Sequence, residues 1–138
     1  MYSRDFILRM IEMLGELIAG ILGLIKKGKL QEASEKIEHA YHDFLKEDAA
    51  FFRTIPADEL TKTLLKEHDY TAGHLEILAE LFCAEGELQA ANNNIKSARE
   101  YFHKALKLYE YIIEDANAFS FKQQGRISYL KERLESLN

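Results

Sequence analysis

Apolar residues recur every three or four positions along most of the chain, which is the period of an amphipathic α-helix. The pattern predicts helices over about 3–27, 30–46, 57–66, 72–91, 94–115 and 121–136. The residues from 47 to 55 are expected to form a connection, and Pro56 suits the first turn of the helix that follows. The fold class expected is therefore all-α, with five or six helices.

Glycine, asparagine, threonine and serine mark the ends of the predicted helices. Gly28 ends the first helix, and three consecutive asparagines at 92–94 separate the fourth from the fifth. Asparagine tolerates left-handed backbone and bonds its own main chain, so it ends one helix and caps the next. Thr71 is expected to cap the fourth helix and Ser120 the last. The fourth and fifth helices should form an antiparallel hairpin.

The second helix of this hairpin carries small residues at regular spacing. Ala98, Phe102 and Ala105 lie four and three positions apart, so the alanines leave room for a partner helix and Phe102 fills the space between them. The pattern resembles the tetratricopeptide repeat, whose second helix contains Ala-x3-Phe. Phe82 and Gly86 stand where the first helix of that repeat has its aromatic residue and its glycine.

Three positions depart from the repeat: Glu85, Gln89 and Glu110 replace its leucine, tyrosine and proline. The resemblance implies antiparallel helical hairpins stacked as a short right-handed superhelix. As a whole, the chain also resembles small, uncharacterised bacterial proteins of tetratricopeptide-like fold.

The first two predicted helices look like a second copy of the hairpin. A shift of 65 residues aligns Ala33 with Ala98 and Ile37 with Phe102. Because this shift is close to two repeats of about 34 residues, the segment between the copies is expected to be a degenerate middle element. The last helix is expected to close the open end of the stack.

Composition favours one domain spanning residues 1–138. A chain of 138 residues, 47% hydrophobic, buries roughly two-thirds of its unfolded surface, and its single proline leaves no place for a linker. A net charge of −5 disfavours nucleic-acid binding, which needs a basic stripe. Cys83, the only cysteine, cannot form an internal disulfide, which indicates a cytoplasmic protein.

The first predicted helix is the most apolar of the set. Arg9, Glu12 and Glu16 lie on one face, and a membrane-spanning helix does not keep a charged stripe through its centre, so we expect no membrane span. The apolar arc is wider than two neighbouring helices would cover, which favours a homodimer. The residues expected to mediate this self-association are Leu8, Ile11 and Leu22.

The fourth predicted helix has an acidic face, and no Lys or Arg lies between Lys66 and Lys96. In tetratricopeptide proteins the first helix of each hairpin lines the concave groove, so the resemblance implies a partner-binding groove on this face. A partner would present a basic segment. The alternative is an ordinary solvated face. The residues on this face are Glu76, Glu80, Cys83 and Glu87.

No catalytic, cofactor or metal motif is expected. His39 and His42 have a spacing that can share a metal, but a solvated face is the alternative and no further ligand supports a site. His74 and Cys83 lie about 13 Å apart along one helix and half a turn out of phase, so they cannot pair within it. Glu85 interrupts an apolar arc and is expected to bond a tyrosine hydroxyl, a lysine or water.

These features favour a non-enzymatic interaction or scaffold module of tetratricopeptide-like type, which recognises a protein partner through a helix-lined groove or associates with itself. The alternative is a small helical ligand-binding regulator or enzyme with a pocket between the first and fourth predicted helices. A deep cavity lined by His74, Glu85 and tyrosines would favour the alternative. A shallow groove without clustered polar groups would favour the interaction module.

Overall fold

The computed structural model describes residues 4–67, 70–114 and 121–138, and within these ranges the chain is helical and contains no strand. Seven α-helices follow one another: α1 (Arg4–Lys26), α2 (Leu30–Leu45), α3 (Ala49–Arg53), α4 (Leu60–Glu67), α5 (Ala72–Ala91), α6 (Ile95–Glu114) and α7 (Phe121–Ser136). A 3₁₀ turn, Ala57–Glu59, precedes α4. The all-α prediction is confirmed, but the described residues form seven helices rather than five or six. The superhelical arrangement stays a prediction.

α5 is the central helix of the fold. Its sequence is apolar around most of its circumference, and thirteen of its twenty residues are buried, as is typical of a helix surrounded by others. α1, α2 and α6 each pack against α5, and α7 packs against α6. Leu75, Leu78 and Phe82 are completely buried, and the buried side chains of all seven helices form one cluster.

The α5–α6 hairpin has the predicted asparagine turn. Asn93 adopts left-handed backbone with a φ of 62°. The Asn94 amide donates to the Gln89 carbonyl at 2.8 Å, which closes the turn. Ala98 and Ala105 are completely buried on the side of α6 that faces the core, as their spacing predicts.

Glycines on α5 allow its neighbours to approach closely. A Cβ atom at Gly86 would lie 2.5 Å from the ring of Phe102 on α6, so this position has room only for hydrogen. Gly73 has the same relation to Ile7 of α1. The glycine and the phenylalanine that carry the family resemblance are therefore in direct contact.

α1 and α2 form the first hairpin, joined at Gly28, whose φ of +78° favours glycine. Both helices pack directly on α5. The prediction of a degenerate middle element within the stack is therefore wrong, because the 3₁₀ turn and α4 lie against α6 instead. Among the described residues, no helix is both long enough and apolar enough to cross a membrane.

The connection predicted over residues 47–55 contains a helix, α3. Phe52 of α3 is completely buried, and its ring stacks on those of Tyr41, at 5.7 Å, and Tyr70, at 6.4 Å. Five residues are too few to show the apolar period of a helix. The one feature of the sequence that indicates a buried segment here is the adjacent pair Phe51 and Phe52.

Thr71 caps α5 as predicted. Its hydroxyl accepts a hydrogen bond from the His74 amide at 3.5 Å, and the Thr71 amide donates to Nδ1 of His74 at 3.0 Å. The two bonds form a capping box. The His74 ring also stacks on Tyr70, with centroids 4.7 Å apart, so His74 has a structural role. The predicted cap Ser120 lies outside the described residues.

Candidate functional site

The four residues predicted to bind a partner lie on the side of α5 that faces α7. Glu76 and Cys83 are buried, and Glu80 and Glu87 are half-buried. α7 reaches all three carboxylates with basic side chains. The sequence allows two alternatives for this side of α5, an ordinary solvated face and an open groove. The structure has neither, because α7 covers this side. Recognition of a partner through it stays a prediction, and it requires α7 to move.

Three ion pairs join α5 to α7 in a single register. Each pairs a glutamate of α5 with a basic residue 46 positions later: Glu76 with Lys122 at 3.5 Å, Glu80 with Arg126 at 3.1 Å and Glu87 with Arg133 at 2.6 Å. The constant separation means that the two helices run parallel. Both helices therefore carry their charges at the same spacings of four and seven residues.

Tyrosine hydroxyls complete the hydrogen bonding of two of these carboxylates. Tyr109 of α6 donates to Glu80, and Tyr129 of α7 donates to Glu87. Burial raises the pKa of Tyr129 to about 12 and the pKa of Tyr109 well above its ordinary value. Both hydroxyls are therefore protonated donors at neutral pH, and bonds to an ionised acceptor are the stronger kind.

The guanidinium groups of Arg126 and Arg133 are held differently by their carboxylates. Nε of Arg126 forms an ion pair with Glu80 at 3.1 Å, and Nη2 donates to the same carboxylate at 3.3 Å. Nη2 of Arg133 donates to Glu87 at 2.6 Å, while its Nε is buried without a hydrogen bond to the protein.

Cys83 lies beneath α7. Its side chain borders a cavity of about 30 Å³ that Leu22, Arg126 and Tyr129 also line. Burial raises the pKa of the thiol to about 12, and the nearby Arg126 guanidinium lowers it only in part. The thiol is therefore protonated at neutral pH and is covered by α7.

Glu85 is buried within the fold and bonded by two side chains. Nε of Arg53 donates to it at 2.8 Å and the Tyr41 hydroxyl donates at 3.1 Å, and Tyr101 lies nearby. The predicted tyrosine partner is confirmed, and Arg53 stands in place of the predicted lysine. Burial raises the pKa of the Glu85 carboxyl, and the charge of Arg53 opposes this rise. Arg53 also pairs with Glu38 at 2.6 Å, and Lys104 of α6 donates to the Arg53 carbonyl at 2.9 Å, so the cluster connects α2, α3, α5 and α6.

An open cleft of about 440 Å³ lies between α1 and α5, where the alternative function expects a pocket. Its lining is mainly apolar and includes Ile7, Leu8, Ile11 and Ile112. Two of its polar residues are already paired, since Gln123 donates to Glu76 at 2.7 Å. Neither His74 nor Glu85 lines this cleft. The polar cavity that would favour a ligand-binding regulator or enzyme is therefore not assembled from those residues.

His39 and His42 are exposed on α2. In the part of the chain that the structure describes, no group of three or more His, Cys, Asp and Glu side chains is placed to hold a metal ion.

α1 carries four of the six large apolar side chains that are exposed among the described residues. At about 3.6 residues per turn, Leu8 and Leu22 lie on one flank of the helix, and Phe6 and Met13 lie on the other. Leu8 is 48% exposed and Leu22 is 40% exposed. Ile11, the third residue predicted for self-association, is half-buried beside the cleft.

The basic residues of α7 were missed as parts of this site. The signal was available, because Lys122, Arg126 and Arg133 repeat the spacing of the α5 glutamates. That match becomes meaningful only when the two helices are known to run parallel.

No family model, no curated protein and no solved structure matches the chain. The tetratricopeptide-like resemblance therefore rests on the residues of the α5–α6 hairpin.

Proposed function

We propose that this protein is a non-enzymatic, tetratricopeptide-like interaction module of the cytoplasm that pairs with a second copy of itself through one flank of α1. The exposure of Leu8 and Leu22 carries this proposal. Burial of apolar surface is favourable by about 25 cal/mol for each Å² removed from water. Two exposed leucines on one flank of a helix therefore favour contact with a second molecule.

The order of the helices supports the tetratricopeptide-like part. The α1–α2 and α5–α6 hairpins stack directly on each other. α7 runs parallel to α5 and packs on α6, so it takes the place of the first helix of a third hairpin. The contact between Gly86 and Phe102 gives the close approach that the repeat needs between its two helices.

The flank of α1 has a two-fold symmetric sequence. Leu8 and Leu22 lie seven residues either side of Gly15, and Ile11 and Ala19 lie four residues either side. Two antiparallel copies of α1 that cross at Gly15 therefore bring Leu8 of one copy against Leu22 of the other. This is a self-complementary contact, which is the commonest kind between identical chains.

Two further features fit this pairing. A Cβ atom at Gly15 would meet nothing within 4 Å, so packing within the described chain does not require the glycine. A glycine in mid-helix costs about 0.5–1 kcal/mol relative to alanine, and close approach of a second helix gives it a role. The acidic first turn, with Asp5, and the basic last turn, with Lys26, then face each other between the two copies.

Sedimentation equilibrium at micromolar concentration tests the pairing, and we expect the mass of a dimer. Leu8→Glu and Leu22→Glu should give the mass of one chain with unchanged helical circular dichroism. Met13→Glu is the matched control, because Met13 is 54% exposed on the other flank of the same helix. A single-chain mass for the wild type at every loading would overturn the proposal.

A second test separates the interface from helix propensity. Gly15 and Gly20 both have open space around their Cα atoms, so alanine at either should stabilise the isolated chain by about 0.5–1 kcal/mol. Only Gly15→Ala should raise the dissociation constant of the dimer. Equal dissociation constants for the two variants would place the contact elsewhere on the molecule.

A further inference from the structure

We infer that the side of α5 beneath α7 is a recognition surface for a basic amphipathic helix, and that α7 occupies it as a displaceable ligand of the same chain. The partner helix would carry Lys or Arg at three positions separated by four and seven residues, as α7 does at Lys122, Arg126 and Arg133. This recognition surface adjoins the α1 flank, because Leu22 lines the same cavity as Cys83 and Arg126, but the inference does not rest on dimer formation.

The recognition rests on a fixed row of carboxylates. Glu76, Glu80 and Glu87 project from one rigid helix, and a parallel helix with matching spacing meets all three at once. Tyr109 of α6 holds Glu80 in place from the side of the core. Charge-assisted bonds at defined spacing specify both the basic character of the ligand and its direction along α5.

Among the described residues, α7 packs closely on one helix only, α6, whereas α1, which also buries just three residues, packs on both α2 and α5. The buried residues of α7 are Gln123, Ile127 and Leu130, and α5 buries thirteen. The contact of α7 with α5 is made by three ion pairs and the Tyr129 hydroxyl, and salt screens the ion pairs in part because their basic side chains remain partly exposed. A helix of this kind opens at a lower free energy than the core.

Cys83 provides a direct measure of α7 opening in the intact protein. It is the only cysteine, and Arg126 and Tyr129 of α7 border the cavity beside its side chain. A thiol reagent such as dithionitrobenzoate can reach it only after α7 or α1 moves or the chain unfolds; the α7 variants below separate these routes. The rate of Cys83 modification under native conditions should therefore exceed the rate set by global unfolding, and it should rise with salt.

Charge reversal on α7 tests this opening. Arg133→Glu should speed modification of Cys83 several-fold, because it places two carboxylates face to face at Glu87. Lys131→Glu makes the same change of charge at an exposed position of α7 and should leave the rate unchanged. A rate that follows global unfolding in the wild type and in both variants would overturn the inference.

Binding in trans tests the recognition itself. The probe is a fluorescent peptide with the sequence of residues 121–138, titrated with the full-length chain and followed by anisotropy. We expect saturable binding that salt weakens and that is several-fold tighter with the Arg133→Glu chain, whose own α7 is released. Glu80→Lys in the chain, or Arg126→Glu with Arg133→Glu in the peptide, should abolish it. No binding to the Arg133→Glu chain would overturn the inference, as would equal binding of the charge-reversed peptide.

Discussion

Glu87 of α5 and Arg133 of α7 form an ion pair of 2.6 Å between residues 46 positions apart in the sequence. Tyr129 donates to the same carboxylate from one turn earlier on α7. Both charged side chains are less than one-third exposed, so solvent screens this pair less than a surface ion pair. The orientation of the last helix on the fold is therefore encoded by charge as well as by apolar contact.

Exchange of these two charges tests that conclusion. Glu87→Arg and Arg133→Glu should each lower the free energy of unfolding by about 1–3 kcal/mol, because each places like charges together or leaves a charge unpaired. The double variant restores an opposite pair and should recover part of the loss. Urea denaturation of the four proteins gives the coupling energy. Losses that simply add would show that the two residues do not interact.

Gly86→Ala should lower the free energy of unfolding by about 1–3 kcal/mol, because the added methyl group overlaps the ring of Phe102. Gly125→Ala is the control. It lies on α7 with open space around it, and it should raise stability by about 0.5–1 kcal/mol. Phe102→Leu should reduce the additional cost of Gly86→Ala. Thermal melting of the four variants measures these effects, and a Gly86→Ala protein as stable as the wild type would contradict the close contact.

The buried Glu85 carboxyl should give stability a characteristic pH dependence. Its folded pKa is raised above the ordinary value of 4.5, so the folded state binds the proton more tightly than the unfolded state. This contribution is fully present below the unfolded pKa and is lost as pH rises through the folded pKa. The wild type should therefore lose stability relative to Glu85→Gln as pH rises through this window.

Carboxyl NMR titration measures the same group directly. Arg53→Gln removes the positive charge that lowers the pKa of Glu85, so the midpoint of the Glu85 titration should move to higher pH. A midpoint at or below 4.5 in the wild type would contradict the dominance of burial.

Phe52→Ala should cost about 3–5 kcal/mol, because it empties a completely buried aromatic site between Tyr41 and Tyr70. Phe51→Ala removes the same side chain from a half-buried neighbouring position and should cost less. Denaturant unfolding compares them. Equal losses would show that α3 is not anchored by Phe52.

The boundaries of the long helices were predictable because local chemistry sets them. α5 ends where predicted, at Ala72 and Ala91, since Thr71 caps one end and the asparagine turn follows the other. α3 was not predictable from periodicity, because its five residues are stabilised by burial of Phe52 against distant rings. Its existence depends on tertiary contacts that no local pattern reveals.

The candidate site was likewise predictable where local sequence sets it and unpredictable where tertiary packing does. The shared face of Glu76, Glu80 and Glu87 follows from helical geometry alone, and the exposure of Leu8 and Leu22 follows from the width of the apolar arc. The cover provided by α7 depends on how α6 positions two helices that are not adjacent in the sequence. Packing sets that relation, so the sequence predicted the acidic face but not the helix that occupies it.

The central position of α5 also affects how the protein folds as it is synthesised. The apolar faces of α1 and α2 are completed by α5, which leaves the ribosome only after the whole of α3 and α4 has been made. The emerging amino-terminal half therefore lacks its packing partner and exposes leucine-rich surface, the condition under which chaperones bind nascent chains. Both hairpins can reach their native packing only when α5 is available. The chain therefore cannot complete its fold helix by helix from the amino terminus, because α1 and α2 need α5 as a packing partner.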